Sequence, residues 1–308
     1  KGACEVSDIT WVNSPYQEVD IAHFISPFDI GVLREKKEIK IPCVVSAFYA
    51  EDDPRASFIS QRDETELTKA GLTMLQEADL ILVPSRTLKD FAISRGIDAE
   101  IEVLEPAVRL NRFKMVGLES TIFRRYFGIK EKEPCVVATG SYKDQETYKL
   151  IKNVAKSAPN IQFYYFAAGK NGSDLGYFNF VRKFDCPRNL HLQSIVQDDI
   201  YRSAMINAIA YISNDYRRPD SIGPMEAFAA KTQVVAFSGS RSNPLLKEGE
   251  SCFFFVTPQA MGEYLIKLNS GEAQSTITSA YDIARAHNLI NHGNKLKSIY
   301  EQLLENTL

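Results

Sequence analysis

Residues 214–237 read NDYRRPDSIGPMEAFAAKTQVVAF. A polar loop ends in the turn Ser221, Ile222, Gly223; an apolar helical pattern follows, carrying one carboxylate, Glu226, and then comes the apolar run QVVAF. A short apolar run bounded by polar segments reads as a strand covered on both faces. With AIAYIS ahead of the loop, the order is strand, loop, helix, strand, which is the signature of a parallel α/β sheet. Ligands of such sheets bind at the carboxyl ends of the strands. The loop before Glu226 is therefore the first place to look for chemistry.

The same alternation runs outward in both directions. DIAHFI, IPCVVSAFY, DLILVP and AEIEVLEP are strand-like, and GVLREKKEI, a segment ending at MLQEA, and SRTLKDFAISRG are helical between them. Pro106 and AVRLNRF interrupt the rhythm. A second series then begins with PCVVATG and runs through TYKLIKNVAKSAP, IQFYYFAAG, NLHLQS, a helix over 198–206, AIAYIS, the helix from Pro224, TQVVAFS and SCFFFV. Two such series in 308 residues predict two Rossmann-like domains with parallel sheets, at about 100–200 residues per domain. The boundaries expected are 1–108 and 109–284, with 285–308 packing back onto the first domain. The final stretch TITSAYDIARAHNLINHGNKLKSIYEQLL predicts one long terminal helix. A Rossmann-like domain usually opens with a strand and a glycine-rich turn; none precedes DIAHFI, so the first βα unit is absent from the pattern.

Composition narrows the function classes. With 44% hydrophobic and 24% charged residues the chain is that of an ordinary globular protein. Its net charge of -3, with no basic stripe interleaved with aromatics, points away from nucleic acid as partner. Cys4, Cys43, Cys135, Cys186 and Cys252 are scattered without a CxxC pair, which fits a reduced compartment and offers no metal-ligand spacing. No stretch approaches the 18 or more apolar residues of a spanning helix. A cytoplasmic protein is expected, with peripheral contact at the inner face of the membrane left open.

Several residues carry chemistry on their own terms. A carboxylate behind a glycine turn in a first helical turn, as Glu226 is, either complements the helix dipole or accepts hydroxyls such as the two of a ribose. His23, at the end of DIAHF, is either a satisfied structural residue or a group facing a ligand. Ser26 in SPFDIG reads as a helix N-cap. The run Glu51, Asp52, Asp53 with Arg55 is a solvated loop or an acceptor-side loop. Arg217 and Arg218, beside Tyr216, form a surface pair or a small anion site, since arginine suits phosphate.

The block SNDYRRPDSIGPMEAFAAKTQVVAF followed by LLKEGESCFFF resembles the donor site of family-4 retaining glycosyltransferases of the GT-B fold. DIAHFISPFDIG, EADLILVPSRTLKDFAISRGI and NLHLQSIVQDDIYRSA extend the likeness over nearly the whole chain, and AEDDPRASF is similar to bacterial enzymes acting on diacylglycerol lipids. The resemblance implies two facing Rossmann-like domains, with a C-terminal helix crossing back to the first. It implies a nucleotide-diphosphate sugar as donor substrate, no cofactor, no metal, and a lipid or glycan acceptor. Donor contacts would fall to Glu226, Ser221, Ile222, Gly223, Gly140, Lys143, Arg217 and Arg218, and catalytic roles to His23 and Asp220.

Two departures stand out. The family has two glutamates eight apart, yet Arg218 stands where the first belongs, with Asp220 the nearest acid. Gln145 and Glu146 stand where an arginine and a lysine usually hold the donor diphosphate, and a carboxylate there repels phosphate. A different reading therefore stays beside the transferase: a catalytically degenerate subunit that binds or positions a partner.

Overall fold

The structure is a computed structural model that describes residues 2–12, 14, 16–48, 58–59, 66–141, 145–168, 179, 181–183, 185–194, 196–214 and 222–307. The chain divides into two compact units, Lys1–Ala107 with His287–Leu308, and Val108–Ala286.

In the first unit, helix α1 (Gly2–Glu5) precedes strand β1 (Ala22–Phe24), helix α2 (Ile30–Glu38), β2 (Cys43–Ser46), α3 (Lys69–Glu77), β3 (Leu80–Val83), α4 (Arg86–Ser94) and β4 (Glu100–Val103). The four strands form a parallel sheet in the order β1-β2-β3-β4. Because strand side chains alternate between faces, the sheet feeds two cores. Val45, Ile81, Val83 and Ile101 face Leu33, Met74 and Ala92 of the helices on one side. Val44, Leu80 and Leu82 meet Leu296, Ile299 and Leu303 on the other. Helices α3 and α4 start at Thr68 and Ser85, whose side chains accept hydrogen bonds from the Gly71 and Leu88 amides, satisfying donors that a helix start otherwise leaves open.

The second unit runs through α5 (Ile122–Phe127), β5 (Cys135–Ser141), α6 (Gln145–Ser157), β6 (Gln162–Ala168), β7 (Leu190–Gln193), α7 (Asp198–Asn207), β8 (Ala210–Ser213), α8 (Gly223–Ala229), β9 (Gln233–Phe237), β10 (Phe253–Phe255), α9 (Pro258–Ser270) and α10 (Ile277–Ala286). Its six strands are parallel in the order β10-β9-β8-β5-β6-β7. Counted from β5 this is the Rossmann order 3-2-1-4-5-6, whose switch point lies between the first and fourth strands, here β5 and β8. Val137, Tyr211, Val234 and Ala236 face one core, and Val136, Ala138, Ile212 and Val235 the other.

Two expectations are corrected. The C-terminal stretch forms two helices rather than one, α10 and then α11 (Leu289–Thr307), with a break at His287 and Asn288. Asn288 Oδ1 accepts from the amides of Ile290 and Asn291 at 2.9 and 3.0 Å, so its side chain caps the second helix where the apolar periodicity runs on unbroken. The part that packs in the first unit is α11 alone. Ser26 is not a helix cap: its hydroxyl accepts from the Phe28 amide at 3.3 Å, and α2 begins at Ile30 after Asp29, without a side-chain cap. The acidic run at Glu51, Asp52 and Asp53 with Arg55 lies outside the described residues.

Candidate functional site

The switch point of the six-stranded sheet is built from glycines seated on tyrosine hydroxyls. Strand β5 carries Gly140 near its carboxyl end, and a Cβ there would overlap the hydroxyl of Tyr165. Helix α8 opens at Gly223, where a Cβ would overlap the hydroxyl of Tyr211. Both tyrosines are buried, and Tyr211 is further anchored by a 2.7 Å bond to Thr139 Oγ1. Neither ring can retreat at low cost in a close-packed interior, so glycine is what lets both backbone segments approach the sheet. Ile222, just ahead, is 46% exposed. After β8, Asn214 Nδ2 donates to Thr147 Oγ1 at 2.6 Å; this ties the exit of β8 to the start of α6.

Every residue of α8 is buried, Glu226 included at 6% exposure. Its backbone amide donates to the Ile222 carbonyl at 2.9 Å, which places it in the first turn. The carboxylate is partnered on both oxygens. Oε1 accepts from the Arg112 guanidinium, and Oε2 accepts from the Tyr201 hydroxyl at 2.8 Å. Arg112, in the turn Leu110–Phe113, also donates to Asp198. Asp198 in turn pairs with Arg202 Nε at 2.9 Å, and Arg202 donates to the Arg112 carbonyl at 3.0 Å. The Arg112 guanidinium also lies 5.9 Å from the Tyr201 ring centroid, within cation–π range. Burial pushes Glu226 above the ordinary carboxylate range, while Arg112 and the Tyr201 hydroxyl pull it back. Burial likewise pushes the Tyr201 phenol well up, so it stays a donor. Two arginines and two acids make the group neutral with Glu226 ionised. A buried anion held by such bonds keeps two further lone pairs for hydroxyl donors.

The sequence-derived residues divide into four sets. Gly140, Ile222, Gly223 and Glu226 come together in the second unit, at the ends of β5 and β8. Gln145 and Glu146 open α6, directly after the segment that follows β5, and Glu146 pairs with Lys149 at 2.8 Å on the surface. Lys143, Arg217, Arg218, Asp220 and Ser221 lie outside the described residues. His23 belongs to the first unit. Its Nε2 is 2.7 Å from Ser46 Oγ, and its Nδ1 bonds the Tyr300 hydroxyl from α11. Arg112, Asp198 and Tyr201 escaped the sequence reading. Arg112 lies in the stretch that breaks the strand–helix rhythm, and its partner Glu226 is 114 positions away. Among the described residues no cluster of His, Cys, Asp or Glu is arranged to hold a metal.

No family model matches the chain. A processive diacylglycerol alpha-glucosyltransferase of Acholeplasma laidlawii is 22% identical over 319 residues, spanning 99% of this chain and 92% of that protein. Among solved structures, Anabaena Alr3699/HepE in complex with UDP-glucose superposes with a TM-score of 0.73 at 14% identity, over 92% of this chain and 79% of that one. Sucrose-phosphate synthase from Thermosynechococcus elongatus gives 0.71 at 14% identity, over 93% of this chain and 74% of that one. With its two parallel-sheet units the chain has the GT-B fold of these glycosyltransferases of known structure, and over nearly its full length it is similar in sequence to a glucosyltransferase.

Proposed function

We propose that the protein transfers a hexose from a nucleotide-diphosphate sugar, with retention at the anomeric carbon, to a glycerolipid acceptor. The observation that carries this reading is the buried Glu226 carboxylate at the Rossmann switch point, seated behind Gly223 and partnered by Arg112 and Tyr201. A buried carboxylate with spare lone pairs matches the paired hydroxyls of a ribose. Gly140, Ser221, Ile222 and Gly223 shape the backbone around the nucleotide. The diphosphate gains charge as it departs, and that charge needs cations in a desolvated site. Gln145 and Glu146 supply none, so the role goes to Lys143, Arg217 and Arg218, with Asp220 standing in for the missing first glutamate. His23, held in the first unit by Ser46 and Tyr300, is the candidate catalytic histidine. Retention then rests on positioned groups that stabilise an oxocarbenium-like centre and the departing diphosphate. The alternative of a degenerate, partner-positioning subunit loses ground to the near full-length relationship with a glucosyltransferase.

A lipid acceptor is supported by the relative's substrate and by one surface. Between Arg109 and Lys132 the exposed charges are Arg109, Lys114, Arg125, Lys130 and Lys132 against Glu119 and Glu131, although the chain's net charge is -3. The same segment exposes Val116, Leu118 and Tyr126. Cations flanking exposed apolar side chains suit an anionic membrane surface, at about 1 kcal/mol per cation. Among the described residues no helix is long and apolar enough to cross a membrane, and the attachment proposed through this surface is peripheral and reversible. The protein is expected to sediment with vesicles containing anionic lipid, to be released by salt, and to bind less after Arg125→Glu with Leu118→Ser. Indifference to both salt and these substitutions refutes this surface as the membrane contact.

A further inference from the structure

We propose that Arg112, with Tyr201 as its helper, is a positioning residue that holds the buried Glu226 carboxylate in the one orientation and charge state able to receive the donor's ribose. The inference rests on the donor-site reading of Glu226 given above. The geometry is that of a two-point mount. Arg112 takes Oε1, Tyr201 takes Oε2 at 2.8 Å, and the plane of the carboxylate is thereby fixed. Arg112 is itself fixed by Asp198 and by its stacking position near Tyr201, while Asp198 is braced by Arg202. The described charged and titratable groups around the carboxylate are thus Arg112 from the turn at 110–113, Asp198, Tyr201 and Arg202 from α7, and the Tyr211 phenol from β8.

Removing Arg112 leaves Asp198 and Arg202 paired with each other and Glu226 as a buried anion without a countercharge. Such a group takes up a proton instead. Protonated, its hydroxyl turns donor and one acceptor oxygen is lost, so the ribose meets a mismatched partner. The sign follows from the direction of the shift. Burial already raises the folded-state pKa of Glu226, and loss of the cation raises it further. The ionised form then exists only above that higher pKa and is lost as pH falls through it. Below the midpoint the affinity of an Arg112→Met variant drops about tenfold per pH unit.

The test is calorimetry of UDP-glucose binding across about pH 5 to pH 8, for the wild type, Arg112→Met and Arg112→Lys; the diphosphate diester of this probe does not titrate in that window. Expected is a wild-type affinity that stays flat to lower pH than that of Arg112→Met, with Arg112→Lys restoring the wild-type midpoint. A uniform loss in Arg112→Met, parallel to the wild type at every pH, overturns the inference. Infrared spectroscopy supplies a readout that needs no ligand: at neutral pH Arg112→Met should show a protonated carboxyl band that is absent in the wild type and abolished by adding Glu226→Gln. If Arg112→Met does not fold, Tyr201→Phe is read by the same band, with a smaller upward shift of the midpoint expected and no shift contradicting the role. If the band appears while the wild type ignores UDP-glucose, the mount stands and the donor reading falls. If binding is normal and no band appears, the donor reading stands and the mount falls.

Discussion

Glu226→Gln is expected to raise the dissociation constant for a nucleotide sugar by about 30- to 150-fold. Two ribose hydroxyls donating to an ionised acceptor are together worth roughly 2–3 kcal/mol beyond a neutral amide, since charge-assisted bonds exceed neutral ones and a mismatched buried group adds its own penalty; at about 1.4 kcal/mol per decade this is the stated range. Glutamine keeps the volume of the side chain and so tests the charge rather than the packing of α8, all of whose residues are buried. The control is on the ligand. A donor lacking the 2′-hydroxyl should lose affinity for the wild type and show much less difference between the wild type and Glu226→Gln, because both changes remove the same bond. Equal losses for both donors place the ribose elsewhere.

The second large effect concerns the diphosphate. Replacing Lys143, Arg217 and Arg218 together by methionine is expected to weaken donor binding at least about a hundredfold, because each charge-assisted bond to phosphate contributes on the order of 1.5–3 kcal/mol and α6 opens with Gln145 and Glu146 in place of cations. Single truncations should each cost severalfold or more. The reverse design also has a definite outcome: Gln145→Arg with Glu146→Lys should tighten donor binding, by adding cations and removing a carboxylate near the phosphates. Tight binding that is insensitive to the triple truncation would contradict the compensating-cation account.

What was legible in the sequence follows from how local the signal is. Runs such as CVVS, LILV, AYIS and QVVAF are covered on both faces of a parallel sheet, so their interiors stay apolar and they stand out from the amphipathic helices between them. That pattern was enough for the α/β class, the motif blocks around the donor loop carried the GT-B likeness, and SIGPMEAF was enough to put Glu226 near the start of a helix. The break at His287 and Asn288 was hidden, because Ala286, Leu289 and Leu296 continue an apolar stripe and one capping asparagine is a small signal against it. Arg112 was hidden for a different reason. Its turn has no periodicity, and its partners Asp198, Tyr201 and Glu226 are brought to it only by the closure of the six-stranded sheet. The tyrosine supports of Gly140 and Gly223 were likewise invisible, since Tyr165 and Tyr211 read in sequence as ordinary strand residues.

The most direct measurement is turnover by the unmodified protein: UDP-glucose with a labelled hexose is incubated with anionic vesicles containing diacylglycerol, and the anomeric configuration of any glycolipid formed is read by NMR. The account predicts lipid-linked hexose in the α configuration of the donor, formed by the wild type and lost in Glu226→Gln. Firm donor binding without transfer to lipid, or a product of inverted configuration, would contradict it.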